Sequence, residues 1–485
     1  MSTAGLSRDH ILLGAAGATS LFAQYVAVRE IGATFFSTEL LLLLVTMVTL
    51  AGPSIGYAIA HRIPDRVLAI WGCLSVALLL TLPFGVRALV GAMGARGHGG
   101  IAVGLTVLAC GALVSGFHAV FLPRAARSPV SLSTLYAAEL GGALAALALI
   151  ALAPSYRVTL ALAAVTAVLV LHLGLARPLL SLAFAAAAVA TMVAYPRLDD
   201  AAARLYYAGW HGRRAPQIIE SEYSPYQRID VVDDERGRRA LYLDGIWFFR
   251  SHAFDGHNRF LADLPGALHP GRGPALVIGS GSFSSAAYLH HLGYSVTVVE
   301  LDEAVARIGF LRFGEVHGLA PGEVKVWIGD ARRFLSETTS TFDIIAVDVP
   351  APYHVRTALL HTPTFYRLAA SHLRPSGVVA LSLCGSADGP VGKAIAAAAA
   401  EVFPQVIAVE SSTSGLAHLY GGAPLPFSAA DVSAALAARD PAGGRVHDDA
   451  AVRASIHGVA PLTEARLAPV LVLARSAMED VLRGD

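Results

Sequence analysis

Ala275-Leu276-Val277-Ile278-Gly279-Ser280-Gly281-Ser282 decides the fold of the second half of this chain. Four apolar residues run into a pair of glycines, and a helical pattern follows to about His291, which is a strand-turn-helix unit whose backbone a ligand can approach closely. The next strand-like run, Val296-Thr297-Val298-Val299, ends at Glu300, where an acid suits the paired hydroxyls of a ribose. Two more runs end the same way: Trp327-Ile328-Gly329 at Asp330, and Phe342-Asp343-Ile344-Ile345-Ala346-Val347 at Asp348. Three acids at successive strand ends fall at the sheet edge where open α/β sheets bind ligands. Glu300 fits ribose, Asp330 fits the exocyclic amine of adenine, and Asp348 is left for the reacting end. A single GxG also opens dinucleotide sites, but Ser284 stands where their third glycine would be, and Phe283 is expected to crowd the pyrophosphate position.

Working outward, strand and helix patterns alternate after Pro274, which predicts a parallel sheet covered on both faces. Before it, Gln227–Val232 and Ala240–Gly245 read as a hairpin around the charged turn Asp234–Gly237. Further upstream the solvent changes. Of the 485 residues 55% are hydrophobic and only 15% charged, too apolar for an ordinary soluble enzyme. Apolar stretches at about 10–32, 38–60, 67–92, 101–123, 133–154, 158–175 and 178–195 predict seven membrane spans, or six if the last two form one interrupted segment. Arginines divide between alternate loops, Arg87 being counted with one set, so charge bias does not orient the bundle. Gln24 and Glu139 are the polar residues expected at lipid depth, Glu139 with a partner on a neighbouring helix. The zero formal net charge and the lack of a basic block exclude nucleic acid as a partner. Cys73, Cys110 and Cys384 have no metal-ligand spacing, so neither disulfide nor metal is expected.

In combination these residues resemble the spermidine synthase (polyamine aminopropyltransferase) family, and its bacterial membrane-fused members above all. The carriers are Ser224-Pro225-Tyr226-Gln227-Arg228-Ile229, Leu241-Tyr242-Leu243-Asp244-Gly245, Val277-Ile278-Gly279-Ser280-Gly281, Val299-Glu300-Leu301-Asp302, Gly329-Asp330-Ala331 and Val347-Asp348-Val349-Pro350-Ala351-Pro352. Thr364–Leu368 and Leu373–Gly377 look like the helix and turn that follow in that family. The resemblance implies that decarboxylated S-adenosylmethionine, or S-adenosylmethionine itself, is held by Gln227, Gly279, Gly281, Ser282, Glu300, Asp330 and Ala331, with Asp348 as general base. An amine would then displace methylthioadenosine. The chain also departs from the family. Ser282 and Ala351 stand where aspartates are usual, Asp255-Gly256-His257-Asn258-Arg259 replaces an aromatic followed by a His-Glu pair, and Trp247 and Phe248 replace a glutamine. A dicationic acceptor would lose counter-charges worth about 1.5–3 kcal/mol each. Trp247, Phe248 and Tyr353 could instead line an apolar acceptor pocket. His354, His361 and His418 are further candidates for acid-base work, with a hydrogen-bonded structural role the commoner one.

The expected architecture is a membrane α-helical bundle (1–195), a connector (196–217), a small β-hairpin subdomain (218–272), a Rossmann-like domain of the class I methyltransferase/spermidine synthase type (273–426) and a helical extension (427–485). Partners implied are a small amine or apolar acceptor and the lipid bilayer, and a homodimer is compatible with the reading. The sulfonium donor is made in the cytoplasm, which places the C-terminal domain on that side of a bacterial inner membrane. A methyltransferase on the same fold, or a nucleoside sensor or transporter without turnover, are the competing functions.

Overall fold

The computed structural model describes residues 7–35, 37–251, 255–440, 442–465, 470 and 475. Among the described residues seven helices are long and apolar enough to cross a membrane: α1 (Arg8–Phe35), α2 (Glu39–Ile59), α3 (Asp65–Gly94), α4 (Gly99–Ala125), α5 (Leu132–Leu152), α6 (Tyr156–Leu175) and α7 (Pro178–Gly209). The last two are separate helices. Ala176 takes a left-handed conformation (φ 52°) that ends α6, and Pro178, whose missing N–H costs nothing in a first turn, opens α7. α7 then continues through Pro196 to Gly209, so most of the expected connector is helix. Glu139 on α5 accepts a hydrogen bond from the Tyr57 hydroxyl of α2 at 3.4 Å, the interhelical partnership expected of it.

A four-stranded antiparallel sheet follows, β1 (Gln217–Tyr223), β2 (Arg228–Asp233), β3 (Arg239–Leu243) and β4 (Ile246–Arg250), in sequence order. It enlarges the predicted hairpin by a strand on each side. The β2–β3 turn is fixed by Asp234, whose Oδ1 accepts from the Arg236 and Arg238 amides at 2.9 and 3.0 Å.

Buried charge joins this sheet to the helices. Arg87 is not a loop residue: it lies inside α3, fully buried, and donates from Nη2 to Asp230 Oδ2 of β2 at 2.7 Å. Asp230 also accepts from Tyr207 of α7 at 2.7 Å and from Ser221 of β1 at 2.6 Å. Arg228 reaches both Asp230 (3.2 Å) and Asp199 of α7 (2.7 Å). Burial works against the charge on Asp230, but Arg228 and Arg87 outweigh it and hold the carboxyl down at about 2. Beside this cluster Glu30 of α1 accepts from Tyr156 of α6 at 2.7 Å and from Tyr223 of β1 at 2.8 Å.

The larger sheet has eight strands in the order β12-β10-β11-β9-β8-β5-β6-β7. β5 (Pro274–Gly279), β6 (Ser295–Glu300), β7 (Lys325–Ile328), β8 (Phe342–Asp348) and β9 (Leu373–Ser382) run parallel. β10 (Gln405–Ser411), β11 (Ala417–Gly422) and β12 (Gly444–His447) complete it antiparallel. Alternate residues of the parallel strands bury on opposite faces. Val277 and Ile344 pack with Ala286 and Leu289 of α8 (Ser284–His291), while Leu276 and Ile345 pack with Phe365 and Ile395. The expected helical extension is mixed: β12 adds an edge strand between two helices, Ala429–Ala437 and Asp449–Ser455, and most residues beyond 465 lie outside those described.

Candidate active site

Because β8, β5, β6 and β7 are parallel neighbours, Asp348, Gly279, Glu300 and Asp330 are brought to one edge of the sheet. Gly279 is paired in register with Asp348 and has φ +82°, and a Cβ there would collide with the Asp348 carbonyl oxygen. Only glycine lets the two strand ends meet so closely. Ser282 is buried in the turn, and Gly281 packs beside Phe248, Leu241 and Val305. Phe283 does not occupy the turn as expected. It takes the left-handed conformation (φ 63°) and sends its ring into the core against Phe310, so it is no obstacle at the helix end.

At the same edge Gln227 and Glu300 meet through Asp302. Asp302 Oδ2 accepts from the Ser224 hydroxyl at 2.6 Å and from Gln227 Nε2 at 3.3 Å, and the Asp302 amide donates to Glu300 Oε1 at 3.0 Å. Burial, followed by the charges of Asp302 and Asp348, raises Glu300 to about 7 against backbone hydrogen bonds that lower it. Asp330 caps the helix Ala331–Glu337, its Oδ1 accepting from the Arg332 and Arg333 amides at 2.9 and 3.0 Å, and Ala331 is buried at the start of that helix. One Asp330 oxygen is thereby committed to the helix end.

Asp348 lies in a hydrogen-bonded chain that includes the candidate His418 together with His257 and Ser285, which were assigned no role from the sequence. Oδ1 meets His257 Nε2 at 2.9 Å, His257 Nδ1 meets His418 Nε2 at 3.3 Å, and Oδ2 accepts from the Ser285 hydroxyl at 3.0 Å. The Ser285 hydroxyl, with a single proton to share, also lies 2.7 Å from Asn258 Oδ1. The Asp348 side chain is 3% exposed and that of His257 is 30%, so the imidazole is the more open end of the pair. Burial alone would lower the proton affinity of His257, but the hydrogen bond and charge of Asp348 turn the net shift upward. Burial and the neighbouring His257 push His418 well below the ordinary histidine range. The signal for His257 was the segment Asp255–Arg259, which keeps a histidine where an aromatic followed by a His-Glu pair is usual.

The three acceptor-pocket candidates are not gathered into one cluster by their contacts. Phe248 belongs to the apolar core under the glycine turn, a half-exposed Trp247 carries the Arg250 guanidinium over its ring at 4.3 Å, and Tyr353 lies in the loop after Asp348, against α2. His361 is held by Tyr366 and the Pro350 carbonyl, both at 3.3 Å, a structural role. A cleft of about 520 Å³ lies elsewhere, between α1, α5 and α6; its lining is mostly apolar and holds none of the strand-end acids.

Residues 255–404 match the family described as the spermine/spermidine synthase domain. The polyamine aminopropyltransferase of Leptospira biflexa is 29% identical over 170 residues, 34% of this chain and 60% of that protein. That of Oceanobacillus iheyensis is 34% identical over 171 residues, 33% of each. Among solved structures, the spermidine synthase from Thermotoga maritima is 21% identical with a TM-score of 0.38, covering 44% of this chain and 74% of that one. The chain thus spans about 60% of the length of the first curated relatives it matches.

Proposed function

We propose that this chain, whose residues 255–404 carry a spermine/spermidine synthase domain, is a membrane-bound aminopropyltransferase. Decarboxylated S-adenosylmethionine is the donor, and a small or apolar amine is the acceptor. The protein sits in a bacterial inner membrane through α1 to α7, with the catalytic domain on the cytoplasmic side where the donor is made. The observation that carries the reading is the meeting of Gly279, Glu300 and Asp348 at one sheet edge, with Gln227 joined to Glu300 through Asp302.

In this mechanism Glu300 holds the ribose hydroxyls, Asp330 meets the adenine amine with its remaining oxygen, and the glycine turn lets the sulfonium lie close to Asp348. The acceptor amine forms a bond to the aminopropyl carbon. The carbon-sulfur bond breaks and its electron pair returns to sulfur, so methylthioadenosine leaves as a neutral thioether without acid help. The proton that the nitrogen must lose goes to Asp348, with His257 as its hydrogen-bonded partner. The His257 imidazole occupies one oxygen of the carboxylate. Ser282 and Ala351, at positions where aspartates are usual, leave fewer counter-charges in the pocket, and this favours an acceptor of lower charge than a dication.

The donor half is tested by pH. Glu300 protonates near 7, above its unfolded value, so its contribution to folding stability is present at low pH and is lost as pH rises through 7. Nucleoside binding runs the other way, because ribose hydroxyls donate to the ionised carboxylate. Methylthioadenosine affinity, measured by calorimetry, should weaken up to roughly tenfold for each pH unit below that value, and Glu300→Gln should flatten the dependence. Binding in the wild type that is indifferent to pH across this range excludes Glu300 as the ribose ligand.

A further inference from the structure

Three segments that carry the site's residues meet the C-terminal part of α1 or the first residue of α2. On the α1 side, Arg29 donates from Nη2 to the Ser224 carbonyl at 2.6 Å and from Nη1 to the Pro225 carbonyl at 3.4 Å, with its guanidinium over the Tyr223 ring at 5.1 Å. Ser224 is the residue that ties Asp302 to Gln227. At the end of α1, the Ala33 and Thr34 carbonyls lie against Gly245 in the β3–β4 turn, where φ is +74° and a Cβ would approach them to 2.8 and 3.2 Å. On the α2 side, Glu39 Oε1 accepts from the Val355 amide at 3.1 Å, and the Glu39 amide donates to the Tyr353 carbonyl at 3.3 Å.

Glu39 is not needed to cap its own helix. Thr38 does that, its Oγ1 accepting from the Leu41 amide at 3.2 Å. The Glu39 carboxylate is spent on the loop that follows Asp348, through a charge-assisted bond of the stronger class.

We propose that the C-terminal part of α1 and the start of α2 form a wall of the transfer pocket, with Arg29 and Glu39 as its positioning residues. Arg29 fixes the donor-side segment 224–227, and Glu39 fixes the acceptor-side loop 349–354 and the helical turn Val355–Ala358 that follows it. The helices then have a reason to be fused to the catalytic domain: they supply the frame against which both halves of the pocket are set. The inference rests on the aminopropyl-transfer reading for which side takes the acceptor, and not for the clamp itself.

The test uses the full chain in lipid nanodiscs, as wild type, Glu39→Ala and Glu39→Gln. Decarboxylated S-adenosylmethionine is the donor, and putrescine and n-octylamine are the acceptor probes. Glu39→Ala should raise the acceptor KM roughly tenfold and leave methylthioadenosine affinity unchanged, because one positioning bond is lost on the acceptor side. It should also speed amide hydrogen exchange at Val355. Glu39→Gln keeps an oxygen that can accept from Val355 and should restore both. An acceptor KM in Glu39→Ala equal to that of the wild type overturns the proposal. Should the wild type bind methylthioadenosine yet transfer to neither amine, the aminopropyl reading fails. The exchange measurement then decides: faster exchange at Val355 in Glu39→Ala alone supports the clamp, and unchanged exchange overturns it.

Discussion

Asp348→Asn should lower kcat by roughly 10²–10⁴-fold while leaving methylthioadenosine affinity close to the wild-type value. Asparagine is nearly the same shape, and its amide oxygen can still accept from Ser285 or His257, so the buried network around residue 348 keeps its geometry. What it loses is the ability to take a proton. An ammonium has no lone pair and cannot attack, so the effect falls on turnover and not on the nucleoside, which the proposed mechanism assigns to other strand ends. The check is paired: product formation by chromatography, and nucleoside binding by calorimetry on the same preparation. Turnover near the wild-type rate in Asp348→Asn refutes the assigned base.

The second large effect is on assembly. Arg87→Met should destabilise the protein by about 3–5 kcal/mol, because it strips Asp230 of one of its two guanidinium partners in a fully buried site. The loss should appear as a lower unfolding midpoint in detergent and as easier proteolysis between α7 and β1. Arg87→Met combined with Asp230→Asn should recover much of it. The double change removes one charge of each sign and leaves the Arg228–Asp199 pair at 2.7 Å, so no charge is left uncompensated. A double variant as unstable as the single one would mean that packing of the Arg87 stem, and not charge balance, joins the two halves.

Those two predictions draw on different degrees of legibility. Asp348 could be read from sequence because a parallel strand has a local signature, an apolar run with an acid at its end, and parallel neighbours bring such ends to one edge automatically. The seven apolar helices were legible for the same reason, since a hydropathy window needs only adjacent residues. Arg87 could not be read correctly that way. Its neighbours resemble a span end, and its partner Asp230 lies 143 residues away in β2, a pairing with no local trace. The His257 pairing with Asp348, 91 residues apart, was hidden likewise, although the altered Asp255–Arg259 segment marked the place. α7 outran its predicted end because the mixed-charge composition that begins after Tyr195 reads as a polar connector. In the fold Asp199 instead turns into the buried cluster, and Asp200 pairs with Arg204 on the helix surface at 2.7 Å. Phe283 was misplaced because its left-handed backbone, which redirects the ring into the core, is not encoded by residue type.

The most direct test of the whole account is the identity of the nucleoside released. Full-length protein in nanodiscs, given decarboxylated S-adenosylmethionine with an amine, or intact S-adenosylmethionine with the same amine, is followed by mass spectrometry of the small molecules. The account predicts methylthioadenosine and an aminopropylated amine from the first mixture and no nucleoside product from the second. S-adenosylhomocysteine from the second mixture, or an unchanged donor in the first across a broad set of amines, contradicts it.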